Sequence, residues 1–163
     1  DVGTAEAYSD GWFHTGDILV EEPAGLVFVD RKKHMIRRSG QNISAAEIEA
    51  TLRTHAAVRE IAVIPIPDDL RDEEVFACII LEDGIAGTDE LADELVRFTL
   101  ERLAYFKVPG WVAFLDELPT TYSQKLRKGE IFGDADPTAD PRTVDLRQVK
   151  QSRGKGPGNN AAK

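Results

Sequence analysis

The chain has 163 residues, 42% of them hydrophobic and 30% charged, which suits one globular domain with a modest core and a tail. No apolar run approaches bilayer-spanning length, and Asp1 to Asp10 lack the basic and apolar regions of a signal peptide, so a cytoplasmic setting is expected. The formal net charge of −9 divides into +5 over residues 142–163 and −14 over residues 1–141, and so acidic a body argues against a general nucleic-acid binder.

Asp1 to Gly16 contains no complete element yet carries Trp12 and Phe13, as the end of another domain would. Ile18-Leu19-Val20 and Leu26-Val27-Phe28-Val29 are strand-like runs joined by Glu21-Glu22-Pro23-Ala24-Gly25, a hairpin composition. A basic stretch from Arg31 to Arg38 leads into the turn-like Ser39-Gly40-Gln41-Asn42. Ser44-Ala45-Ala46-Glu47 is a capping box, and Ile48 and Leu52 stand one helical turn apart, so a helix is expected over about 45–55.

Glu60 to Ile66 and Val75 to Glu82 read as strands around the turn Pro67 to Asp72. The single cysteine, Cys78, lies inside the second of these apolar runs and reads as a buried inert thiol. A second helix begins after Thr88, with Asp89 and Glu90 complementing its positive end and Leu91, Leu95, Phe98 and Leu103 facing the core. Pro109-Gly110 stop that segment. Trp111 to Leu115 reads as a strand and Lys125 to Ile131 as a short last helix. From about Gly133 the composition turns polar and rich in glycine and proline, which predicts a disordered tail over 133–163.

Three segments carry candidate chemistry: Gly11-Trp12-Phe13-His14-Thr15-Gly16-Asp17, Asp30-Arg31-Lys32-Lys33 through Asn42, and Pro119-Thr120-Thr121-Tyr122-Ser123-Gln124-Lys125. Taken singly each has an ordinary explanation. Asp17 can be a turn residue, the basic run a solvated face, and Lys125 a surface lysine. His34 and His55 have no partner at metal-ligand spacing, and His14 reads as packing rather than as a ligand.

In this order, however, the three segments resemble the AMP-forming adenylating enzymes: acyl- and aryl-CoA synthetases, luciferases and peptide-synthetase adenylation domains. The first resembles the family's G-W-x-x-T-G-D. The second resembles its hinge motif, running on into Ala46-Glu47-Ile48-Glu49. The third resembles P-x-T-x-S-G-K, preceded here by Tyr105-Phe106-Lys107-Val108-Pro109. The resemblance covers roughly residues 1–131. It implies an α+β fold: a small C-terminal domain with a β-hairpin followed by a mixed three-stranded sheet packed with two to three helices. It also implies a division into the end of a large domain (1–30) and a mobile C-terminal domain (31–132).

The resemblance further implies a reaction in which ATP, with magnesium, activates a carboxylic acid as an acyl-adenylate, whose acyl group then passes to the thiol of CoA. Asp17 and Arg31 match residues that hold the ribose, and an ionised carboxylate suits two O–H donors. Lys125 matches the lysine that stabilises charge during adenylation. Lys33 matches the hinge about which the domain rotates. Ser39, Gly40 and Gln41 would line the thiol's approach, with Arg37 assisting the second step. Two positions depart from the pattern. Gln124 replaces the usual glycine, and Asn42 stands where some members place an arginine, which looks closer to medium-chain or carnitine-type CoA ligases. No Gly- and Ser/Thr-rich phosphate loop is present, so residues 1–163 alone are not expected to complete a turnover. An enzyme that loads a carrier protein, and a non-catalytic binding or regulatory module, stay open as alternatives.

Overall fold

The computed structural model describes residues 8–9, 11–31 and 35–154. Two small antiparallel ribbons come first: β1 (Tyr8–Ser9) with β2 (Trp12–Phe13), then β3 (Asp17–Glu22) with β4 (Gly25–Arg31). The second is the hairpin that the sequence predicts. Much of its apolar surface lies open: Trp12 is 75% exposed, Leu26 68% and Phe28 56%.

A six-stranded mixed sheet forms the body of the domain. Its long centre is the antiparallel pair β7 (Val58–Asp68) and β8 (Asp72–Leu81). On the other side of β8 lies β9 (Trp111–Phe114), in the sheet's parallel pairing. The hairpin β5 (Met35–Arg38) and β6 (Gln41–Ser44) joins where Arg38 pairs with Asp72. Both strands come from the basic stretch and the turn after it, and they raise the sheet above the three strands expected.

Helix α1 (Ala45–Leu52) opens on Ser44, whose Oγ accepts from the Glu47 N–H at 3.3 Å, and buries Ile48 and Leu52. Helix α2 (Asp89–Leu100) opens on Thr88, whose Oγ1 accepts from Leu91 N–H. Ile36, Ile43, Ile48, Leu52 and Leu95 pack with the sheet into one cluster, while Phe76, Cys78, Ala113 and Leu115 line a second. Burial holds the Cys78 thiol up to about 12, so it stays an unionised packing group as expected.

The free edge of β7 is covered by its own sequence. Val63 N–H points away from β8 and donates to Glu49 Oε1 at 2.7 Å. Pro65 and Pro67, two and four residues on, share that outward position and have no N–H to leave unpaired.

Two expectations require correction. Residues 125–131 do not form a helix. An isolated bridge between Thr120 and Leu126, together with Arg127 N–H to Pro119 O at 2.8 Å, holds the segment as a tight hairpin, leaving only a single 3-10 turn at Lys128–Glu130. Nor is the segment from 133 an unfolded tail. Strand β10 (Thr143–Asp145) adds antiparallel to β9, and α3 (Arg147–Gly154) follows; residues beyond Gly154 lie outside those described. Leu146 is buried at 2% exposure, and Val144 and Val149 pack on the first core cluster.

The tail is also held by charge. Glu74 on β8 is 1% exposed, and its Oε1 accepts from Arg38 Nε (2.9 Å), Lys150 Nζ (2.8 Å) and Val75 N–H (2.9 Å). Both cations also face the Tyr105 ring, at 5.8 and 5.6 Å from its centroid. Gly110 leaves the room, because a Cβ there would stand 2.7 Å from Glu74 Cγ. Two buried cations share one carboxylate, and arginine does not give up its proton. Burial accordingly drives the Lys150 ammonium down to about 8, against the opposing pull of Glu74. Replacing Glu74 with glutamine would strand both cations without a counter-charge. Glu74→Gln is therefore expected to cost about 3–5 kcal/mol in urea unfolding of this chain, and a loss below about 1 kcal/mol would show that the carboxylate is dispensable.

Candidate active site

The residues singled out from the sequence fall on three structures. At the first, the register of the β3–β4 hairpin sets Asp17 directly opposite Arg31. Arg31 Nε lies 3.1 Å from Asp17 Oδ1, within ion-pair range. The approach is not aligned as a hydrogen bond, and Oδ1, a buried atom of a half-buried side chain, has no hydrogen-bond donor among the described residues. Asp17 thus keeps acceptor capacity that a pair of hydroxyl donors would satisfy. Its own N–H is held by Thr15 Oγ1 at 3.1 Å, which fixes the start of the strand.

The second structure is the β5–β6 turn. Ser39 (φ 49°) and Gly40 (φ 77°) both have positive φ, as a two-residue primed turn requires. A Cβ at Gly40 would meet nothing within 4 Å, so the glycine serves conformation and leaves the backbone open to approach. Strand alternation divides the two preceding arginines, with Arg37 exposed and Arg38 turned inward to Glu74. The turn is tied down at alternate positions: Arg37 N–H to Glu73 Oε2 at 2.6 Å and Ser39 N–H to Arg71 O at 2.9 Å. Gln41 and Asn42 are exposed at its exit. Lys33 lies outside the described residues.

The third structure is the loop carrying Lys125. Thr121 O accepts from Gln124 N–H at 2.9 Å, and Thr121 N–H returns to Lys125 O at 2.7 Å. Thr121 Oγ1 also accepts from Lys125 N–H at 3.0 Å. Between these bonds Gln124 sits at φ 62°, the left-handed conformation that glycine adopts freely. The loop's hydrogen bonds therefore hold a non-glycine residue in a strained conformation. The exposed Lys125 ammonium has no hydrogen-bond or ion-pair partner among the described residues. The loop is braced from behind by Lys128, whose Nζ lies 2.6 Å from Glu49 Oε1 on α1.

The sequence did not single out Glu73, Glu74, Lys150, Glu49 or Lys128. The one available hint was the pair Glu73-Glu74 standing directly before the apolar run Val75 to Leu81, where the strand begins to be buried. His55 also has a place: its Nδ1 accepts from Ala57 N–H, and its Nε2 lies 3.3 Å from Glu94 Oε1. It is a structural group.

A small α+β domain that presents its candidate chemistry on two positive-φ turns and an acid–base pair defines the class. Residues 47–125 match the AMP-binding enzyme C-terminal domain. It is similar to the crotonobetaine/carnitine–CoA ligase of Proteus mirabilis, 41% identical over 123 residues, covering 75% of this chain and 23% of that protein. Among solved structures it resembles the o-succinylbenzoate CoA synthetase of Bacillus subtilis bound to the acyl-adenylate OSB-AMP. There the TM-score is 0.69 at 32% identity, covering 81% of this chain and 26% of that one. It also resembles ATP-bound MatB from Rhodopseudomonas palustris, with TM-score 0.70 and 25% identity over 94% of this chain and 27% of that one. The chain thus spans about a quarter of the length of the relatives it matches.

The strain at Gln124 is measurable. The left-handed conformation costs a non-glycine residue about 1–2 kcal/mol, and glycine returns about 0.4–1 kcal/mol of that through the freedom of the unfolded chain. Gln124→Gly should therefore raise stability by roughly 0.5–1 kcal/mol, and Gln124→Val should lower it. Denaturant midpoints of the two variants test this, and the opposite order would show that the loop is not held at positive φ.

Proposed function

We propose that this chain is the C-terminal part of an ATP-dependent, AMP-forming acid–CoA ligase. The observation that carries the reading is the Lys125 loop, which holds Gln124 in the left-handed conformation a glycine would adopt freely and offers an unpaired ammonium to solvent. The names of the relatives support it, since they act as CoA ligases and CoA synthetases. So does the open apolar surface around Trp12, Leu26 and Phe28, which suits packing against a large domain. The single buried thiol agrees with a reducing, cytoplasmic setting.

In this reading the carboxylate of the acid attacks the α-phosphorus of ATP, taken as its magnesium complex, and pyrophosphate leaves. Asp17 accepts the ribose hydroxyls, and Arg31 beside it contacts the same sugar. Lys125 places positive charge between the acid's carboxylate and the α-phosphate, where negative charge gathers as the bond forms. A flexible point charge suits this role better than a planar guanidinium. The domain then turns about Lys33. The thiol of CoA attacks the acyl carbon, gives up its proton and expels AMP, with Ser39, Gly40 and Gln41 lining its approach and Arg37 beside them. No helix among the described residues is long and apolar enough to cross a membrane, and the reading requires none.

The test is ATP–pyrophosphate exchange with a panel of carboxylic acids, in the enzyme that joins this chain to its large domain. Lys125→Ala should lower exchange by about 10²–10³-fold, while thioester formation from a preformed acyl-adenylate persists. Unchanged exchange would remove Lys125 from the chemistry and favour a non-catalytic module. Saturation of the second step by free CoA would separate a CoA ligase from an enzyme that loads a carrier protein.

A further inference from the structure

The Ser39–Gly40 turn is positioned by a helix that lies far outside the matched segment. Residues 47–125 carry the match to the family domain, and Lys150 stands 25 residues beyond its end. Lys150 is nevertheless among the most buried side chains, and its Nζ shares one oxygen of Glu74 with Arg38. Arg38 is the residue immediately before the turn. Consecutive residues 37, 38 and 39 are tied to Glu73, Glu74 and Arg71, so the start of β8 and the residue just before it hold the turn along its whole entry. The far side of Glu74 rests on Gly110, and Gly110 O accepts from Leu146 N–H at 2.8 Å, where the segment leading into α3 begins. A continuous path of bonded contacts therefore runs from α3 through Glu74 to Arg38 and the turn.

We infer that Lys150 on α3 is a positioning residue for the thioester-forming step, acting through Glu74 and Arg38 to hold the Ser39–Gly40 turn. This rests on the reading of that turn as the thiol's approach. Among the described residues no comparable link reaches the Lys125 loop, which is braced instead by Lys128 of the following 3-10 turn against Glu49 on α1. The inference therefore separates the two half-reactions: disturbing Lys150 slows acyl transfer to CoA and leaves adenylation alone.

The test has an arm on this chain and an arm on the enzyme with its large domain. Lys150→Met keeps a long buried side chain and leaves Glu74 paired with Arg38, and circular dichroism should show a retained cooperative fold. In ¹⁵N-labelled chain, amide hydrogen exchange at Ser39 and Gly40 should rise at least tenfold, with Gln124 and Lys125 unchanged. Unaltered Ser39 and Gly40 amides would overturn the coupling. In the enzyme, the same variant should keep pyrophosphate exchange within twofold and lose at least tenfold in the rate of thioester formation from acyl-adenylate. Lys150→Arg should restore most of that rate. Equal loss in both half-reactions, or no loss in the second, would overturn the positioning role. Absence of pyrophosphate exchange in the unsubstituted enzyme would instead overturn the ligase reading, a result distinct from the amide measurement.

Discussion

The carboxylate of Glu74 is the constraint around which this domain is arranged. Taking an ion out of water costs several kcal/mol even after relaxation, and an unpaired one is not tolerated. Three donors converge on a single oxygen: one from β5, one from α3 and one from β8 itself. Each brings an element of the fold to a fixed place. The arrangement also demands a residue without a side chain at position 110, where β9 is about to begin. Strand order, the entry to β9 and the docking of α3 thus answer to one buried charge. Burial lowers the Lys150 ammonium's pKa further than the Glu74 carboxylate raises it, and the neighbouring Arg38 adds to the lowering.

The two turns that present the candidate chemistry are built on the same principle. Each places residues at positive φ and holds them through backbone hydrogen bonds rather than through the side chains on display. At Ser39–Gly40 the strand period sends Arg38 inward as an anchor and leaves Arg37 outside. At Gln124 the loop keeps a conformation that a glycine would adopt without strain. The backbone bonds from Thr121 compel it, so the loop's form depends on its hydrogen-bond pattern more than on the residue at its tightest point.

Local signals were legible and distant ones were not. Ser44 and Thr88 announced the starts of α1 and α2, because a cap depends on residues three apart. The Cys78 run declared its burial by composition alone. Motif order brought Asp17, Arg31, Gly40 and Lys125 to notice, and hairpin register then set Asp17 against Arg31. The pairing of Glu74 with residues 36 and 76 positions away leaves no local trace. Lys150 lies in a stretch whose composition argues for solvent, and only the sparse apolar series Val144, Leu146 and Val149 hinted that one face is buried. The segment 125–131 misled for a related reason. Its helix-forming residues are local, but the bonds that override them come back from Pro119 and Thr121.

In the proposed reading, the anchoring carboxylates would let one small domain serve two chemical steps without compromise between them. Glu49 receives Lys128 and the Val63 N–H, so the terminal loop is referred to α1 and the edge of β7. Glu74 receives Arg38 and Lys150, so the hinge-motif turn is referred to β8 and α3. These are separate ion-pair sets on separate elements, with no shared partner among the described residues, and interactions that share no partner perturb one another little. If the domain turns as a rigid body between steps, each loop must hold its shape while exposed to solvent, before the large domain receives it. A loop anchored by an ion pair to a buried or half-buried carboxylate meets that demand in advance. One anchored only by contacts with the large domain would have to fold anew at every turnover.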